Sequence, residues 1–347
     1  MRNDFLVWRK FWRSGLLLLL SSPALLLAQQ KPHYTQYILN QYILNPAITG
    51  IENYTDIKAS YRNQWVGLQD APVTTYFTAH TPIGKKDYRQ TATSYDLPGE
   101  NPRGKSYWEE YVTPEPHHGL GVQIINDVTG PLSQFSAQAT YAYHLGISSR
   151  TSLAAGFGVG LNRLGLNAAK LEFGDIIVDP AVYQNGLINR TRLDMSMGLY
   201  LYSADYFVGL SAQQIVPQTV DFSDGYVRPT MGKTVPHLFA TAGYRFLVGS
   251  DFNLIPSLMM KYVNSLPVQL EGNVKLQYRN LGWFGASYRH RDGFAGMLGL
   301  NLTSRLHMGY AYDYTQSALR NFTKGTHEIL IGFIIGGYPD GCPRAIW

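Results

Sequence analysis

Several short stretches of this sequence look like parts of catalytic or metal sites, but none has the complete spacing. Gly156–Gly160 reads GFGVG, which lacks the GxGxxG spacing of a dinucleotide-binding loop and the helix that must follow it. His327–Glu328 opens a zinc-protease pattern without the second His four residues later. His117–His118 has no further ligands at metal spacing, and the carboxylate pair Glu109–Glu110 lies in a polar loop. Because no GxSxG nucleophile element occurs either, we predict that the protein is not an enzyme and holds no cofactor or metal.

The N-terminal stretch contains a small duplication that favours binding rather than catalysis. QYILN occurs twice in succession, at Gln36–Asn40 and Gln41–Asn45, and the turn residues Pro46 and Gly50 follow. Asn, Gln and Tyr are hydrogen-bonding side chains that suit a polar interior. Two interpretations stay open for this segment, which we bound at 29–53: a plug inside a lumen, or a flexible tail. The candidate binding residues in it are Gln36, Tyr37, Asn40, Asn45 and Pro46.

A second candidate binding site is the stretch RNQW at 62–65, just after the first predicted strand. Arg and Trp are common anchors at binding surfaces. Trp at a membrane interface is equally typical of the aromatic girdle of a barrel. We select Arg62, Gln64 and Trp65 and place them on the first outside loop or on a barrel rim.

Strict alternation of apolar and polar residues identifies the elements that position these candidates. In Val268–Tyr278, VQLEGNVKLQY, the alternation has the two-residue period of a β-strand. In Ser152–Asn162 the same alternation puts Gly156, Gly158 and Gly160 on one face, where small residues leave room in a lumen. The predicted strands are Thr55–Tyr61, Val73–Thr81, Gly119–Ile125, Gln134–Leu145, Ser152–Asn162, Leu193–Tyr202, Tyr206–Gln213, Leu238–Leu247, Phe252–Val263, Val268–Tyr278, Trp283–His290, Phe294–Thr303, Arg305–Tyr314 and His327–Ile335.

Alternation alone fits two architectures. A soluble all-β protein turns the apolar faces into one core, whereas an outer-membrane barrel turns them toward lipid and its polar faces toward the lumen. Most segments are near the roughly 9–11 residues that a tilted strand needs to cross a bilayer core. Tight connections alternate with long ones, and in lipid every backbone group must pair within a closed sheet. We therefore predict an all-β, transmembrane, antiparallel up-and-down β-barrel of the outer-membrane type with about 14 strands, and keep the soluble alternative.

The composition agrees with export to a membrane. Aromatic residues make up 13% of the chain and charged residues only 15%. Residues 1–28 are predicted to be a secretory signal peptide, the alternative being a membrane-anchoring helix. Their four basic residues less one Asp give +3 of the formal +5, and about +2 on the remaining chain excludes the basic surface of a nucleic-acid-binding protein. Cys342 is the single cysteine, so an internal disulfide framework is excluded.

These elements divide the chain into four parts. A signal peptide (1–28) precedes an N-terminal periplasmic or lumenal segment (29–53), the barrel (54–336) and a C-terminal tail (337–347). The polar stretch 84–117 is a long insertion, which strand parity places in the periplasm. An even number of strands also predicts that both termini are periplasmic.

Short patterns along most of the chain carry a family resemblance. Those near the N-terminus are Tyr37, Asn45-Pro46-Ala47, Gly50, Tyr61–Trp65, Gly67 and Ala71-Pro72. Later ones are Gly119-Leu120-Gly121, Asp127, Gly130, Gly243-Tyr244, Trp283, Gly285, Tyr288-Arg289, Gly309-Tyr310, Asp313-Tyr314 and Gly325–Ile329. In this order and at barrel-compatible spacing, they resemble the PorP/SprF-type outer-membrane proteins of the bacterial type IX secretion system. The sequence departs from the family at Ile38, where the family has Met, and in the long insertion 84–117.

The resemblance implies a fourteen-stranded outer-membrane barrel that catalyses nothing and serves type IX secretion, in some bacteria together with gliding motility. It implies three kinds of partner: the C-terminal domain of a large secreted surface protein, often an adhesin; other type IX secretion components, periplasmic lipoproteins among them; and outer-membrane lipid. The polar inner face leaves one alternative open, an outer-membrane diffusion channel or solute transporter. A membrane-embedded enzyme is a third class, for which we find no clustered acid-base or metal site.

Overall fold

A computed structural model describes the chain over residues 34–85, 111–167, 170, 187–217, 219–220, 232–233, 235–264, 266–303, 305–316 and 318–336. The predicted signal peptide 1–28, the tail 337–347 and most of the insertion 84–117 lie outside the described residues.

Fourteen antiparallel strands form one closed barrel. Each strand pairs with its neighbour in sequence, and the first pairs with the last from Thr55↔Ile335 to Asn63↔His327, which closes the sheet. The strands are β1 (Thr55–Asn63), β2 (Val73–Ile83), β3 (His117–Thr129), β4 (Leu132–Gly146), β5 (Ser152–Asn167), β6 (Leu187–Tyr202), β7 (Tyr206–Gln213), β8 (His237–Tyr244, continued by Phe246–Val248), β9 (Phe252–Val263), β10 (Gln269–Tyr278), β11 (Gly282–Arg289), β12 (Gly293–Asn301), β13 (Leu306–Thr315) and β14 (Thr326–Ile335). The predicted all-β, up-and-down barrel is confirmed.

The side chains alternate between lumen and outer surface in the sense opposite to that of a soluble protein. On β10, Leu270 and Val274 are 42% and 47% exposed, whereas Glu271 and Asn273 are 1% and 3% exposed. An apolar outer face with a polar inner face is the arrangement of a barrel in lipid. The soluble all-β alternative is therefore wrong. Within the described residues, no helix is both long and apolar enough to span a membrane.

The barrel has two unlike ends. One end, here called the turn end, carries the tight connections 147–151, 203–205, 249–251, 279–281 and 302–305, together with the insertion between β2 and β3. The other end, the loop end, carries the long connections 64–72, 168–186, 214–236 and 316–325, together with the short ones 130–131, 264–268 and 290–292. β5 and β6 have 16 residues each, whereas β7 has 8 and the His237–Tyr244 part of β8 also has 8, so the wall is taller on one side at the loop end.

Residues 34–54, here called the lumenal segment, occupy the interior of the barrel. They form three 3₁₀ turns, at Thr35–Ile38, Gln41–Ile43 and Pro46–Ile48. Every residue of the segment is buried except Asn53, which is half-buried. Its apolar side chains pack into two clusters with inward-facing wall residues, among them Tyr76, Trp283, Leu330, Tyr200 and Phe207. The barrel thus has a filled interior, and part of that core is built from its own N-terminal residues.

Candidate functional site

The QYILN duplication folds into two successive 3₁₀ turns that are separated by asparagines. Asn40 and Asn45 each precede the next turn, with extended φ angles of −137° and −139°. Asn45 Oδ1 accepts a hydrogen bond from the backbone N–H of Ala47 at 2.9 Å, which caps the third turn. Pro46 stands at the first position of that turn, where an N–H would have no partner. The residue before a proline is biased toward extended backbone, so the second turn ends at Asn45.

Tyr37 and Tyr42 occupy the same position in the two copies, but their hydroxyls reach opposite walls. The Tyr37 hydroxyl accepts a hydrogen bond from Asn273 Nδ2 of β10. The Tyr42 hydroxyl shares a hydrogen bond of 2.5 Å with Thr140 Oγ1 of β4. The duplication therefore gives the segment one anchor on each side of the lumen.

The two asparagines also bind the wall, and Asn45 does so most extensively. Asn40 Nδ2 donates to Thr78 Oγ1 of β2 at 2.9 Å. Asn45 Nδ2 donates to the carbonyl oxygens of Leu199 on β6 (3.0 Å) and Leu210 on β7 (3.3 Å). A ladder carbonyl has a second lone pair free for such a bond. One side-chain amide thus bridges two neighbouring strands.

Gln36 and Gln41 continue the pattern. Gln36 Nε2 donates to the carbonyl of Glu328 at 2.7 Å, and Gln41 Oε1 accepts from the Tyr200 hydroxyl at 2.9 Å. All five candidate residues of the N-terminal stretch therefore lie inside the barrel and are buried. None of them faces a partner outside it.

Two wall glutamines, which the sequence did not single out, bind the segment from the other side. Gln123 Nε2 of β3 donates to the carbonyl of Tyr42 at 2.7 Å. Gln213 Nε2 of β7 donates to the carbonyls of Ile43 and Leu44, both at 2.9 Å. Carbonyls at the end of a short helical turn lack partners within the turn. The side-chain amides of Gln123 and Gln213 are the hydrogen-bond donors for these carbonyls.

Inward-facing glycines make room for the segment at close range. A Cβ added to Gly156 of β5 would lie 2.6 Å from Ala47 Cα, and one added to Gly198 of β6 would overlap Asn45 Oδ1. Glycine in a strand often marks the close approach of another backbone. The interpretation of Gly156 as a residue that leaves room in the lumen is confirmed, whereas Gly158 and Gly160 face atoms of the wall instead.

A buried charged cluster holds the start of the segment near the loop end. Arg62 Nη1 donates to Glu328 Oε2 at 2.9 Å and Arg62 Nη2 to Asp313 Oδ2 at 2.7 Å, with all three side chains at most 7% exposed. Thr35 of the segment inserts into this cluster. Its backbone N–H donates to Glu328 Oε2 (2.9 Å), and its hydroxyl donates to Asp313 Oδ2 (2.6 Å) and accepts from Arg62 (2.7 Å). Arg62, selected as a rim anchor, thus points inward and binds the lumenal segment.

Three histidines hold the other end of the segment near the turn end. His144 Nε2 lies 2.8 Å from the carbonyl of Thr49, and His117 Nε2 lies 3.2 Å from the carbonyl of Gly50. The backbone N–H of Gly50 donates to His80 Nδ1 at 3.2 Å. The rings of His117 and His144 are stacked, with centroids 4.5 Å apart. His117, examined above as a metal ligand, therefore contacts the segment, and no metal-binding group of three or more ligands occurs among the described residues.

Gln64 and Trp65 lie half-buried at the loop end. Trp65 has a left-handed φ of +52°, and its backbone N–H donates to Thr326 Oγ1 at 3.1 Å. The next residue pairs with the connection before β14, because Val66 N–H donates to the Gly325 carbonyl at 2.8 Å. A crevice at this rim is lined by Arg62, Gln64, Trp65, Arg289, Asp292, Gly293, Phe294, Asp313, Tyr314, Thr315 and Thr326. This rim crevice is a surface that a partner outside the barrel can reach.

Comparison with known proteins places this geometry in context. The model of a family described as type IX secretion system membrane protein PorP/SprF matches residues 26–333. No curated protein matches the chain.

Solved outer-membrane barrels resemble the fold at low sequence identity. The CymD monoaromatic hydrocarbon channel is 11% identical, with a TM-score of 0.50 over 88% of this chain and 94% of that one. Omp33 of Acinetobacter baumannii is 9% identical (TM-score 0.44, 83% of this chain and 100% of that one). The toluene transporter TbuX of Ralstonia pickettii is 10% identical (TM-score 0.47, 85% and 93%). At such identity, the likeness to CymD shows the barrel fold alone.

Proposed function

Because the chain belongs to the PorP/SprF family of type IX secretion membrane proteins, we propose that it supports the export or surface anchoring of particular large secreted proteins. In this proposal the barrel sits in the outer membrane and binds the C-terminal domain of its partner, an adhesin for example. Residues 1–28 serve as the signal peptide. Other secretion components, including periplasmic lipoproteins, contact the turn end, and in a gliding bacterium the same partner would serve motility.

The filled lumen is the observation that supports a binding role over conduction. A diffusion channel needs a continuous aqueous path, but the lumenal segment reaches both walls through Tyr37 and Tyr42. Its hydrogen bonds extend from Thr35 near one end of the barrel to Gly50 near the other. A barrel with such an interior acts on partners through its rims.

The loop end is the rim that we assign to the exported partner. Outer-membrane barrels keep their short turns in the periplasm and their longer loops outside, so the loop end faces the cell exterior in this proposal. The rim crevice lies there, with Trp65 and Gln64 on its edge. Tryptophan and arginine dominate the binding energy of many interfaces. Arg62 points inward and binds the lumenal segment, so it is not available to a partner outside the barrel. Trp65 is therefore the principal anchor in this proposal.

The test is a comparison of surface and culture-medium proteins between the parent strain and a strain that lacks this gene. We expect one large protein, or a few that share a C-terminal domain, to leave the surface or to disappear from the exported set. An unchanged exported set would overturn the proposal, and reduced uptake of small solutes in the same strain would support the channel alternative.

Conductance measured in planar lipid bilayers tests the alternative that the protein is a diffusion channel. We expect the intact protein to be closed and a variant without residues 34–50 to conduct, because removing them empties the lumen. A large open pore in the intact protein would contradict the closed barrel. Intact barrel and variant are compared at equal amounts of folded protein, judged by heat-dependent gel mobility.

A further inference from the structure

Two buried polar atoms at the rim crevice have no hydrogen-bond partner among the described residues, and they are Arg289 Nη2 and Asp313 Oδ1. Both residues line the crevice, and their side chains are 10% and 7% exposed. The first atom is a donor and the second is an acceptor. Because buried polar atoms in proteins almost always have a partner, the two atoms mark a place where a group from outside the barrel can bind.

A gap separates Arg289 from Asp313. The Arg289 guanidinium donates to Glu271 through Nε (3.0 Å) and to Asp292 through Nη1 (2.5 Å). Its Nη1 lies 3.9 Å from Asp313 Oδ2, which is too long for a hydrogen bond. Two polar side chains at such a distance are commonly bridged by a small group that bonds to both. A group that accepts from Arg289 Nη2 and donates to Asp313 Oδ1 would make this bridge.

Thr35 shows which kind of group makes such a bridge. Its hydroxyl accepts a hydrogen bond from Arg62 Nη1 at 2.7 Å and donates to Asp313 Oδ2 at 2.6 Å. A hydroxyl can do both because it carries one donor and two acceptor lone pairs. Asp313 thus has an arginine near it on either side, and a hydroxyl already joins it to Arg62. The unpartnered atoms of Arg289 and Asp313 offer the same combination of donor and acceptor a second time.

Size and charge select a small, neutral group. The crevice offers about 10 Å³ to the centre of such a group, which is close to the space that one water-sized group needs. A hydroxyl is of this size, whereas the side-chain amide of asparagine or glutamine is larger. The carboxylates outnumber the guanidinium groups of Arg62 and Arg289, and they belong to Glu271, Asp292, Asp313 and Glu328. A carboxylate or phosphate from outside would therefore be repelled.

We propose that the rim crevice binds the side-chain hydroxyl of a serine or threonine of the exported partner. The hydroxyl accepts a hydrogen bond from Arg289 Nη2 and donates one to Asp313 Oδ1. The aromatic rings of Trp65 and Phe294 line the same crevice and contact the apolar atoms next to the hydroxyl. The hydroxyl site rests on the proposed function, and it adds to that function the chemistry that the partner presents at the rim.

Double-mutant cycles between the barrel and its partner test the proposal. The probe is the exported protein that is lost in the gene-deletion strain, and its affinity is measured for the purified full-length barrel in detergent. Each serine and threonine of its C-terminal domain is changed to alanine and measured against the intact barrel and against Arg289→Lys. Lysine keeps a positive charge beside Glu271 but has no counterpart of Nη2. Arg279→Lys is the matched control, because Arg279 pairs with Asp251 at the turn end.

We expect one alanine substitution in the partner to weaken binding to the intact barrel about tenfold or more, because hydrogen bonds to charged groups are among the stronger ones. The same substitution should have little further effect on binding to the Arg289→Lys barrel and its full effect on binding to the Arg279→Lys barrel. Exchange of serine for threonine, or the reverse, at that position should keep the affinity, because the hydroxyl is retained.

Asp313→Asn is the second barrel variant, and it serves if Arg289→Lys does not fold. Its amide oxygen can take the bonds from Thr35 and Arg62, whereas its amide nitrogen puts a donor where Asp313 has its unpartnered acceptor. We expect the same serine or threonine to be coupled to this variant.

A partner that binds the intact barrel with no serine or threonine coupled to either variant would overturn the hydroxyl site and leave the crevice to water. So would an intact barrel that binds every alanine variant of the partner equally well, and this readout needs no barrel variant. Both results leave the proposed function standing, because the partner still binds. A gene-deletion strain that loses no exported protein would instead overturn the proposed function, and the hydroxyl site with it.

Discussion

Gly156 of β5 and Ala47 of the lumenal segment touch through their backbones, since a Cβ on Gly156 would lie 2.6 Å from Ala47 Cα. Ala47 is fully buried. It belongs to the third 3₁₀ turn, whose cap, Asn45, is bonded to two strands. The turn therefore has no room to move aside. The size of a single wall residue thus decides whether the segment fits.

A valine at position 156 tests this relationship. Gly156→Val should displace the third turn, so that the barrel conducts and loses its folded form at a lower temperature in a heat-dependent gel assay. Gly296→Val is the matched control, because Gly296 faces outward on β12 and a Cβ there has no atom within 4 Å. A Gly156→Val barrel as closed and as heat-resistant as the Gly296→Val barrel would show that the segment does not need this space.

Removal of the buried cation of the loop-end cluster should be costly. Arg62→Met removes the ion pairs that Glu328 and Asp313 make with Arg62 and leaves Asp313 the longer pair with Arg289 (3.9 Å); breaking a buried pair typically costs about 3–5 kcal/mol. Lys170→Met is the control: its ion pair with Asp70 is nearly half exposed, so its loss should cost about 0–1 kcal/mol. Urea unfolding in lipid vesicles measures both. Equal free energies of unfolding for the two variants would rule out a structural role for the cluster.

The two asparagines of the duplication should differ in their contributions. Asn45→Ala removes two hydrogen bonds to strand carbonyls and the cap on Ala47, whereas Asn40→Ala removes one bond to Thr78. At about 1 kcal/mol for each bond, we expect a loss of about 3 kcal/mol for Asn45→Ala and about 1 kcal/mol for Asn40→Ala. Urea unfolding in lipid vesicles measures the loss of stability for both variants and shows which is larger. A larger loss for Asn40→Ala would mean that the cap and the bridge are not what hold the segment.

The two-residue period was sufficient to predict all fourteen barrel strands, because each strand faces lipid on one side and polar groups on the other. Its limits show at three places. β5 and β6 continue past the predicted boundaries at Asn162 and Leu193, where Arg163 and its cross-strand partner Thr191 put polar residues on the outward face and break the alternation. The predicted strand Leu238–Leu247 is interrupted at Arg245, which is buried and whose N–H donates to the Asp205 carbonyl at 2.6 Å. The pair Thr219–Val220 and Gly232–Lys233 inside a long connection had no periodic signal and was missed.

The residues that bind the lumenal segment could not be predicted from the sequence, because they are distant from it along the chain. Tyr37 binds Asn273, 236 residues away, and no local pattern links the two. A plug and a flexible tail therefore both stayed open as interpretations. One signal was available: glycines at inward positions of the alternation, such as Gly156 and Gly198, mark a wall that something approaches closely. Arg62 was selected for a common property of arginine at interfaces, and only the register of β1 shows that it points into the lumen.

Trp65 at the rim crevice gives the last prediction. It lies half-buried at the loop end, its backbone held by Thr326, so Trp65→Ala removes the indole and leaves the connection in place. Loss of a tryptophan anchor costs about 2 kcal/mol or more in a typical interface, which is about a thirtyfold weaker complex. In the proposed function, the exported partner should then move from the cell surface into the medium, while barrel stability stays the same. Phe284→Ala is the control, since this phenylalanine is 71% exposed on the outer face near the turn end. Quantification of the partner in surface and medium fractions decides: release by Phe284→Ala to the same extent, or retention in Trp65→Ala cells, would remove Trp65 from the binding surface.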